Sequence, residues 1–291
     1  MHYNAPIFLF FKILIDMLKN STYNNRIRLI AYDKIKIMEE LKMKIVALEF
    51  YKNGFMKEAL AFGGSVEKEN LDPNKNYESS LQNYLIDTGK EVILVDTGLP
   101  VETKDVEPKP EQMIYTGKKV NNFVDALKKA GYEPKDIDKV IVTHKHADHT
   151  GELRLFDNSK IYISEIEAEA MKLDGDNIVR VNFEDGEYKN FKESQKISDN
   201  IYMLPAYGHT KGNSIVVAEF EGLHYMFHGD VTYTDEALRQ NALSVVFEDK
   251  ELAKETLNNV REFVKENDTV YLSTHTPEAL TSLKEKKVMK L

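Results

Sequence analysis

Apolar residues recur along this chain at two spacings, and each spacing predicts a different kind of element. Alternating or short, wholly apolar runs predict strands at 44–50, 82–86, 91–95, 140–142, 161–163, 201–204, 214–220, 223–227 and 270–272. Apolar residues three and four positions apart predict helices over 120–127 and 252–264. Ser164 with Glu167 predicts a capping box that begins another helix. This mixture predicts an α/β (α+β) fold in which helices flank two packed sheets.

The first 42 residues differ in composition from the rest of the chain. They carry seven Lys or Arg and four Asp or Glu, a charge of +3, which leaves −12 for the remaining residues. The apolar stretch 6–18 is interrupted by Lys12 and Asp16, so it predicts neither a membrane span nor a signal peptide. We interpret 1–42 as an atypical extension: an extra helix or tail, an amphipathic arm, or a segment upstream of a native start at Met43.

Composition excludes several classes of protein. The chain has 291 residues, of which 42% are apolar and none is cysteine. Disulfides, iron–sulfur clusters, thiolate zinc sites and a cysteine nucleophile are therefore excluded. The net charge of −9 argues against nucleic-acid binding, which needs clustered Lys and Arg. Any metal must be held by His, Asp or Glu, and without a predicted signal peptide we expect a cytoplasmic location.

One loop concentrates the candidate chemistry. It follows the predicted strand 140–142 and carries His144, His146, Asp148 and His149, so three of the eight histidines lie within six residues. His144 and His146 are two apart and can chelate one ion from an extended segment, while Asp148 and His149 can reach a second ion. The alternative, a solvated polar loop, does not account for this concentration of histidine, and the pattern indicates a metal site.

Two ions need ligands from other segments as well. His209, Asp230 and His275 each follow a predicted strand beside small or turn residues, so we expect them to meet the first loop at one edge of the sheets. The nitrogen and oxygen donors suit two divalent ions, with zinc favoured and iron, cobalt or manganese as alternatives. His228 lies two residues before Asp230, and we interpret it as a supporting or core histidine.

These residues resemble the metallo-β-lactamase superfamily, whose signature is His-x-His-x-Asp-His followed by a distant His, Asp and His. The resemblance covers about residues 44–285 and implies an αββα sandwich, with a hydrolase domain over 43–291 and a dinuclear site at the edge of its sheets. Asp96, in an Asp-Thr-Gly motif, is implied to support the ligands. The implied ligands are His144, His146 and His209 for the first ion, Asp148, His149 and His275 for the second, and Asp230 as the bridge.

The resemblance also narrows the range of candidate substrates. Branches of the superfamily that use a cysteine ligand, or an acid in place of a first-loop histidine, do not match, whereas N-acyl homoserine lactonases and glyoxalase II thioesterases keep all seven ligands. Tyr233, three residues after Asp230, matches a lactonase tyrosine that hydrogen-bonds the substrate carbonyl. The segment 272–279 resembles the C-terminal motif of the lactonases but differs from it at Thr276. The chain also differs from the lactonase pattern at Lys211.

A lactonase that opens N-acyl homoserine lactones (quorum quenching) or similar lactones through a metal-bridging hydroxide is therefore the implied function. Tyr233 would stabilise the oxyanion and Asp148 would pass a proton to the leaving alkoxide. A glyoxalase II-like thioesterase and a non-catalytic metal-binding module are the alternatives. We expect a small-molecule ester, lactone or thioester as substrate and no membrane span, and we name a homodimer as a candidate assembly. Segments 54–63 and 99–115 are candidate pocket walls.

Overall fold

The computed structural model describes residues 43–291, and the predicted extension 1–42 lies outside the described residues. The strands are β1 (Lys44–Lys57), β2 (Asn76–Asp87), β3 (Val92–Val95), β4 (Ile114–Lys119), β5 (Lys139–Val142), β6 (Lys160–Ser164), β7 (Ile178–Val181), β8 (Gln195–Ser198), β9 (Ile201–Pro205), β10 (Ser214–Phe220), β11 (Leu223–Phe227) and β12 (Thr269–Leu272). The helices are α1 (Glu58–Phe62), α2 (Phe123–Lys129), α3 (Ala147–Thr150), α4 (Glu165–Met171), α5 (Asp235–Gln240), α6 (Lys250–Glu266) and α7 (Glu278–Glu285).

The strands form two sheets, and period-two alternation divides their side chains among three apolar layers. One sheet has the order β4-β1-β2-β3-β5-β6-β7 and the other the order β12-β11-β10-β9-β8. In β3, Ile93 and Val95 pack in the cluster between the sheets, whereas Leu94 packs outward with α2. Strand β10 alternates in the same way between the central cluster and a cluster under α6. The predicted αββα sandwich is therefore confirmed.

Parallel strands bring the ends of both sheets to one edge. Strands β3, β5, β6 and β7 run parallel to one another, as do β11 and β12. The carbonyl oxygen of Thr143, just after β5, accepts hydrogen bonds from both N and Oγ of Ser214 at 3.0 Å, which joins the two sheets at this edge. Because the candidate residues follow β5, β9, β11 and β12, the frame directs them to a common place.

The structure differs from the sequence prediction in several respects. Strands β1 and β2 are longer than the predicted strands 44–50 and 82–86. Strand β4 begins at the end of the candidate pocket wall 99–115, where no strand was predicted, and it pairs antiparallel with β1. Helix α2 begins at Phe123 rather than at Val120, since the side chain of Asn122 accepts a hydrogen bond from the backbone N of Asp125 and caps the helix there. The short strands β7 and β8 were not predicted. Within 43–291, no helix is long and apolar enough to cross a membrane.

Candidate metal centre

Three imidazoles meet at the edge of the sandwich. His144 Nε2 lies 3.0 Å from His146 Nδ1, and His209 Nε2 lies 3.2 Å and 3.0 Å from those two nitrogens. Nitrogens bound to one tetrahedral ion at 2.0–2.1 Å stand about 3.3 Å apart. The spacing of the three donors is therefore close to that of ligands around a single ion.

Neighbouring groups fix the orientation of these rings. Asp96 accepts hydrogen bonds from the backbone N of Thr143 and from its hydroxyl, both at 2.8 Å. The Thr143 hydroxyl lies 3.1 Å from His144 Nδ1, and Asp96 Oδ2 lies 2.7 Å from His149 Nδ1. The carbonyl oxygen of Val246 holds His209 Nδ1 at 3.1 Å. In His144, His149 and His209, the Nε2 atom is thereby left facing the centre, as in metal sites whose second ring nitrogen is held by an outer partner.

A second group of donors lies beside the first. It consists of Asp148, His149 and His275, and their ligand atoms lie within 4.8 Å of one another. Asp230 faces both groups, because its Oδ2 is 3.5 Å from His209 Nε2 and 3.1 Å from His275 Nε2. Its other oxygen lies 3.4 Å from His149 Nε2. Asp230 therefore occupies the position that a bridging carboxylate requires.

The electrostatics of the two groups differ. Burial, together with the neighbouring imidazoles, lowers the pKa of His144 well below its ordinary value, and burial lowers the pKa of His209 to about 4. Burial also opposes the charged form of His149, but the carboxylates of Asp96 and Asp230 outweigh it and raise its pKa. For Asp230, burial is outweighed by His275 and His149, which hold its pKa well below the usual range.

The residues present fit divalent ions. Three imidazole nitrogens that point at one another cannot all be satisfied by protons shared among themselves, and a cation at their centre would satisfy all three lone pairs. His149 Nε2 and Asp230 Oδ1 are buried and lie 3.4 Å apart, yet neither makes a hydrogen bond within the described part of the chain. Buried polar atoms without partners are costly, so their orientation toward the centre indicates a group that they bind.

Tyr233 lies against both groups of donors. Its hydroxyl donates a hydrogen bond to Asp230 Oδ2 at 2.9 Å, and its ring stacks on His275 with centroids 5.2 Å apart. The ring also packs in an apolar cluster with Met56 and Phe62. Part of the predicted pocket wall 54–63 therefore supports the tyrosine rather than facing open space.

The structure brings all seven predicted ligands, Tyr233 and Asp96 into one site. His228 is fully buried, and its ring stacks on Tyr271 at 3.9 Å, which places it in the core behind the site, as the sequence suggested. Sequence reasoning missed the hydroxyl of Thr143, which has no signature apart from standing before His144. It also assigned Glu167 only to a capping box, whereas its carboxylate bonds to two other segments.

The fold and the converging donors define a metalloprotein of the αββα class. A model of the Metallo-beta-lactamase superfamily matches residues 82–275. The chain belongs to this superfamily and is a metal-dependent hydrolase, which confirms the resemblance seen in the sequence.

The chain is also similar to individual proteins, here two curated relatives and one solved structure. The chain is 26% identical to an N-acyl homoserine lactonase of Bacillus sp over 212 residues, 70% of this chain and 84% of that protein. It is 28% identical to an N-acyl homoserine lactonase of Bacillus cereus over 200 residues, 66% of this chain and 79% of that protein. An N-acyl homoserine lactone hydrolase with N-hexanoyl-L-homoserine at its catalytic metal centre has the same fold, with a TM-score of 0.62, 22% identity, and coverage of 83% of this chain and 96% of that one.

Proposed function

We propose that this protein is a dinuclear, metal-dependent lactonase that opens N-acyl homoserine lactones or similar lactones. The observation that carries the proposal is the Tyr233 hydroxyl, which lies 2.9 Å from Asp230 Oδ2 at the boundary between the two groups of donors. By turning its single proton from Asp230, a phenol in that position can donate a hydrogen bond to a carbonyl oxygen that enters the centre. The similarity to the Bacillus lactonases supports the same class of substrate.

Seven side chains hold the two ions in this proposal. His144, His146 and His209 form one site, Asp148, His149 and His275 form the other, and Asp230 belongs to both. Zinc suits this set of nitrogen and oxygen donors, with iron, cobalt and manganese as alternatives. Bound divalent ions supply a nucleophilic water at neutral pH and polarise the substrate carbonyl.

Tyr233 stabilises the charge that develops on the carbonyl oxygen. Burial, reinforced by the charge of Asp230, raises the pKa of Tyr233 well above its ordinary value, so the hydroxyl stays protonated and remains a donor. Stacking on His275 and packing against Met56 and Phe62 hold the ring in place. The hydrogen bond strengthens as negative charge grows on the oxygen, and it therefore favours the transition state over the bound substrate.

Asp148 handles the proton on the open side of the site. Its side chain is 24% exposed, whereas those of His149, His275 and Asp230 are at most 3% exposed. Water adds to the acyl carbon, the ring C–O bond breaks, and the proton released by the water reaches the leaving alkoxide through the Asp148 carboxylate. The products are a carboxylate and a free hydroxyl on the same molecule, together with one proton released to solvent.

We infer that residues 43–291 constitute the hydrolase domain, because every proposed ligand and the matched region lie within them. The substrate in this proposal is a small molecule rather than nucleic acid or a membrane surface. A cytoplasmic location stays a prediction, as does a homodimer as the candidate assembly.

The test measures ring opening of a panel of lactones with a pH-stat, using protein of known metal content. The panel holds N-acyl homoserine lactones of several chain lengths, simple γ- and δ-lactones, and S-lactoylglutathione as the thioester. We expect turnover of at least one lactone, with kcat/KM well above that for the thioester, and loss of turnover after chelation. Fully metallated protein that opens no lactone would refute the proposal. Preference for S-lactoylglutathione would favour the thioesterase alternative.

A further inference from the structure

The carboxylate of Glu167 is fully buried, and it does not complete the capping box that its sequence predicts. Ser164 Oγ accepts a hydrogen bond from the backbone N of Glu167, which is the first half of such a box. The second half is absent among the described contacts of Ser164, because both carboxylate oxygens bond to other loops. Glu167 Oε2 accepts from the backbone N of Lys145, and Oε1 accepts from the backbone N of Gly212, both at 2.8 Å.

These two backbone groups belong to the two loops that carry the three imidazoles. Lys145 stands between His144 and His146, and Gly212 stands three residues after His209. The Ser164 hydroxyl also donates to the carbonyl oxygen of Gly212 at 2.7 Å, so Ser164 and Glu167 hold both polar groups of that residue. The approach is close enough to require glycine, since a Cβ on residue 212 would lie 2.6 Å from Ser164 Oγ and 2.9 Å from Glu167 Cγ.

A second glutamate joins the same two loops from the surface. Glu248 Oε1 accepts from Lys145 Nζ at 2.6 Å, and its Oε2 accepts from the backbone N of Lys211 at 2.9 Å. Each glutamate therefore bridges residue 145 to residue 211 or 212. The side chain of Glu248 is 33% exposed, so solvent screens its ion pair with Lys145 far more than it screens the buried contacts of Glu167.

We propose that Glu167 and Glu248 are positioning residues of the metal centre, a glutamate clamp that fixes the spacing of the nitrogens of His144, His146 and His209. Neither carboxylate is among the seven donors. The clamp acts through the backbone and through Lys145, holding together two loops that are separate in sequence. This inference rests on the metal centre of the proposed function. It states that the affinity of the three-histidine site for its ion depends on the clamp.

Glu167→Gln is the sharpest test, because it keeps the size of the side chain and changes its hydrogen-bonding capacity. A carboxylate accepts from both N–H groups, whereas an amide offers one acceptor oxygen and one NH2. One of the two buried N–H groups would then face a donor and lose its partner. Loss of an outer partner typically weakens metal affinity about 10- to 100-fold.

The measurement is zinc affinity by competition with a chromophoric chelator, together with the melting temperature of the zinc-free and zinc-loaded forms. We expect Glu167→Gln to lower the affinity for one of the two zinc ions about 10- to 100-fold, while the affinity for the other ion is unchanged. The rise in melting temperature on zinc loading should shrink accordingly. Glu169→Gln, an exposed glutamate on the same helix, is the matched control and should behave as the parent does.

The outcomes separate this inference from the proposed function. A lower melting temperature of the zinc-free form with parental affinity for both ions would make Glu167 merely structural and overturn the clamp. A parent protein that binds no zinc would instead refute the metal centre itself. If Glu167→Gln does not fold, Glu248→Gln decides: weakening of one ion, by less than in the buried position, supports the clamp, and unchanged affinity for both overturns it.

Discussion

Asp230 and Asp235 are two carboxylates on one short segment, and their surroundings are opposite. They are similarly buried, at 3% and 7% exposure. Asp230 faces His149, His209 and His275 and accepts the Tyr233 hydroxyl. Asp235 instead has Arg239 at 3.7 Å, with Lys287 and Glu278 as further charged neighbours. One oxygen of Asp235 has no hydrogen-bond partner within the described residues.

The difference appears in the pKa values of the two groups. Burial is outweighed by His275 and His149 at Asp230, so its pKa lies well below the usual range, while burial raises the pKa of Asp235 to about 6. Burial alone therefore does not distinguish a functional carboxylate from a structural one. What distinguishes them is the set of groups that faces the carboxylate: Asp230 faces three imidazoles, of which His149 and His209 are oriented by outer partners.

Asp230→Asn should give the largest effect, because it removes the carboxylate that both groups of donors share. Outer partners of ligands already cost about 10- to 100-fold when removed, so loss of a bridging ligand should cost about 100-fold or more in metal affinity and in kcat/KM. Elemental analysis of the purified protein and lactone kinetics measure both quantities. Full metal stoichiometry with parental kinetics would remove the contrast between the two carboxylates.

Tyr233→Phe should give an intermediate effect, and it tests the residue that lies between the two carboxylates. Removing one oxyanion donor typically costs about 10²- to 10³-fold in rate. We expect about 10- to 100-fold in kcat, with little change in KM, because an ion shares the same oxygen. Metal content should be parental, since the ring still stacks on His275.

Tyr77→Phe is the matched control for that variant. Tyr77 packs against the same apolar cluster as Tyr233, but its hydroxyl bonds to Glu58 at 3.3 Å, away from the centre. It should keep parental kcat and KM. Parental kinetics in Tyr233→Phe as well would mean that Tyr233 only packs, and the main reason for preferring a lactonase over a thioesterase would be lost.

The sequence predicted the inner strands and the composition of the site because both depend on local patterns. Val140, Ile141 and Val142 form a short apolar run, and a buried strand is the usual outcome of such a run. The histidine-rich loop follows it directly, so its place at a strand end could be inferred as well. The pairing of His209 and His275 with that loop required only that strand ends meet at one edge.

The parts that the sequence did not predict depend on long-range contacts. Strand β4 contains Gly117 and two lysines and has a weak strand pattern, and it forms because β1 offers it a partner. Glu167 carries a genuine capping signal, but the backbone N–H groups of Lys145 and Gly212 take its carboxylate instead. Nothing in the neighbourhood of Glu167 along the chain indicates those partners, which are 22 and 45 residues away.

Asp235→Asn should give the smallest effect on activity, and it should raise the free energy of unfolding at pH 7. The pKa of Asp235 is raised by burial from 3.8 to about 6 in the folded protein, so the folded state binds the proton more tightly than the unfolded state does. Stability therefore falls as the pH rises from about 4 to about 6, and above that range the folded protein carries the whole cost of the buried charge. Asparagine, which is neutral at every pH, should stabilise the protein at pH 7 by on the order of 1–3 kcal/mol.

That gain should vanish near pH 4, where Asp235 is protonated in the parent and the two side chains have the same charge. Urea unfolding of parent and variant at a series of pH values measures the difference directly. Asp199→Asn is the control, because that carboxylate is exposed, is paired with Lys196 at 3.1 Å, and has a lowered pKa, so no gain at pH 7 is expected. Loss of lactone turnover in Asp235→Asn at unchanged metal content would place Asp235 in the same functional class as Asp230. A destabilisation at pH 7 that disappears near pH 4 would instead show that Arg239 compensates the charge of the ionised carboxylate.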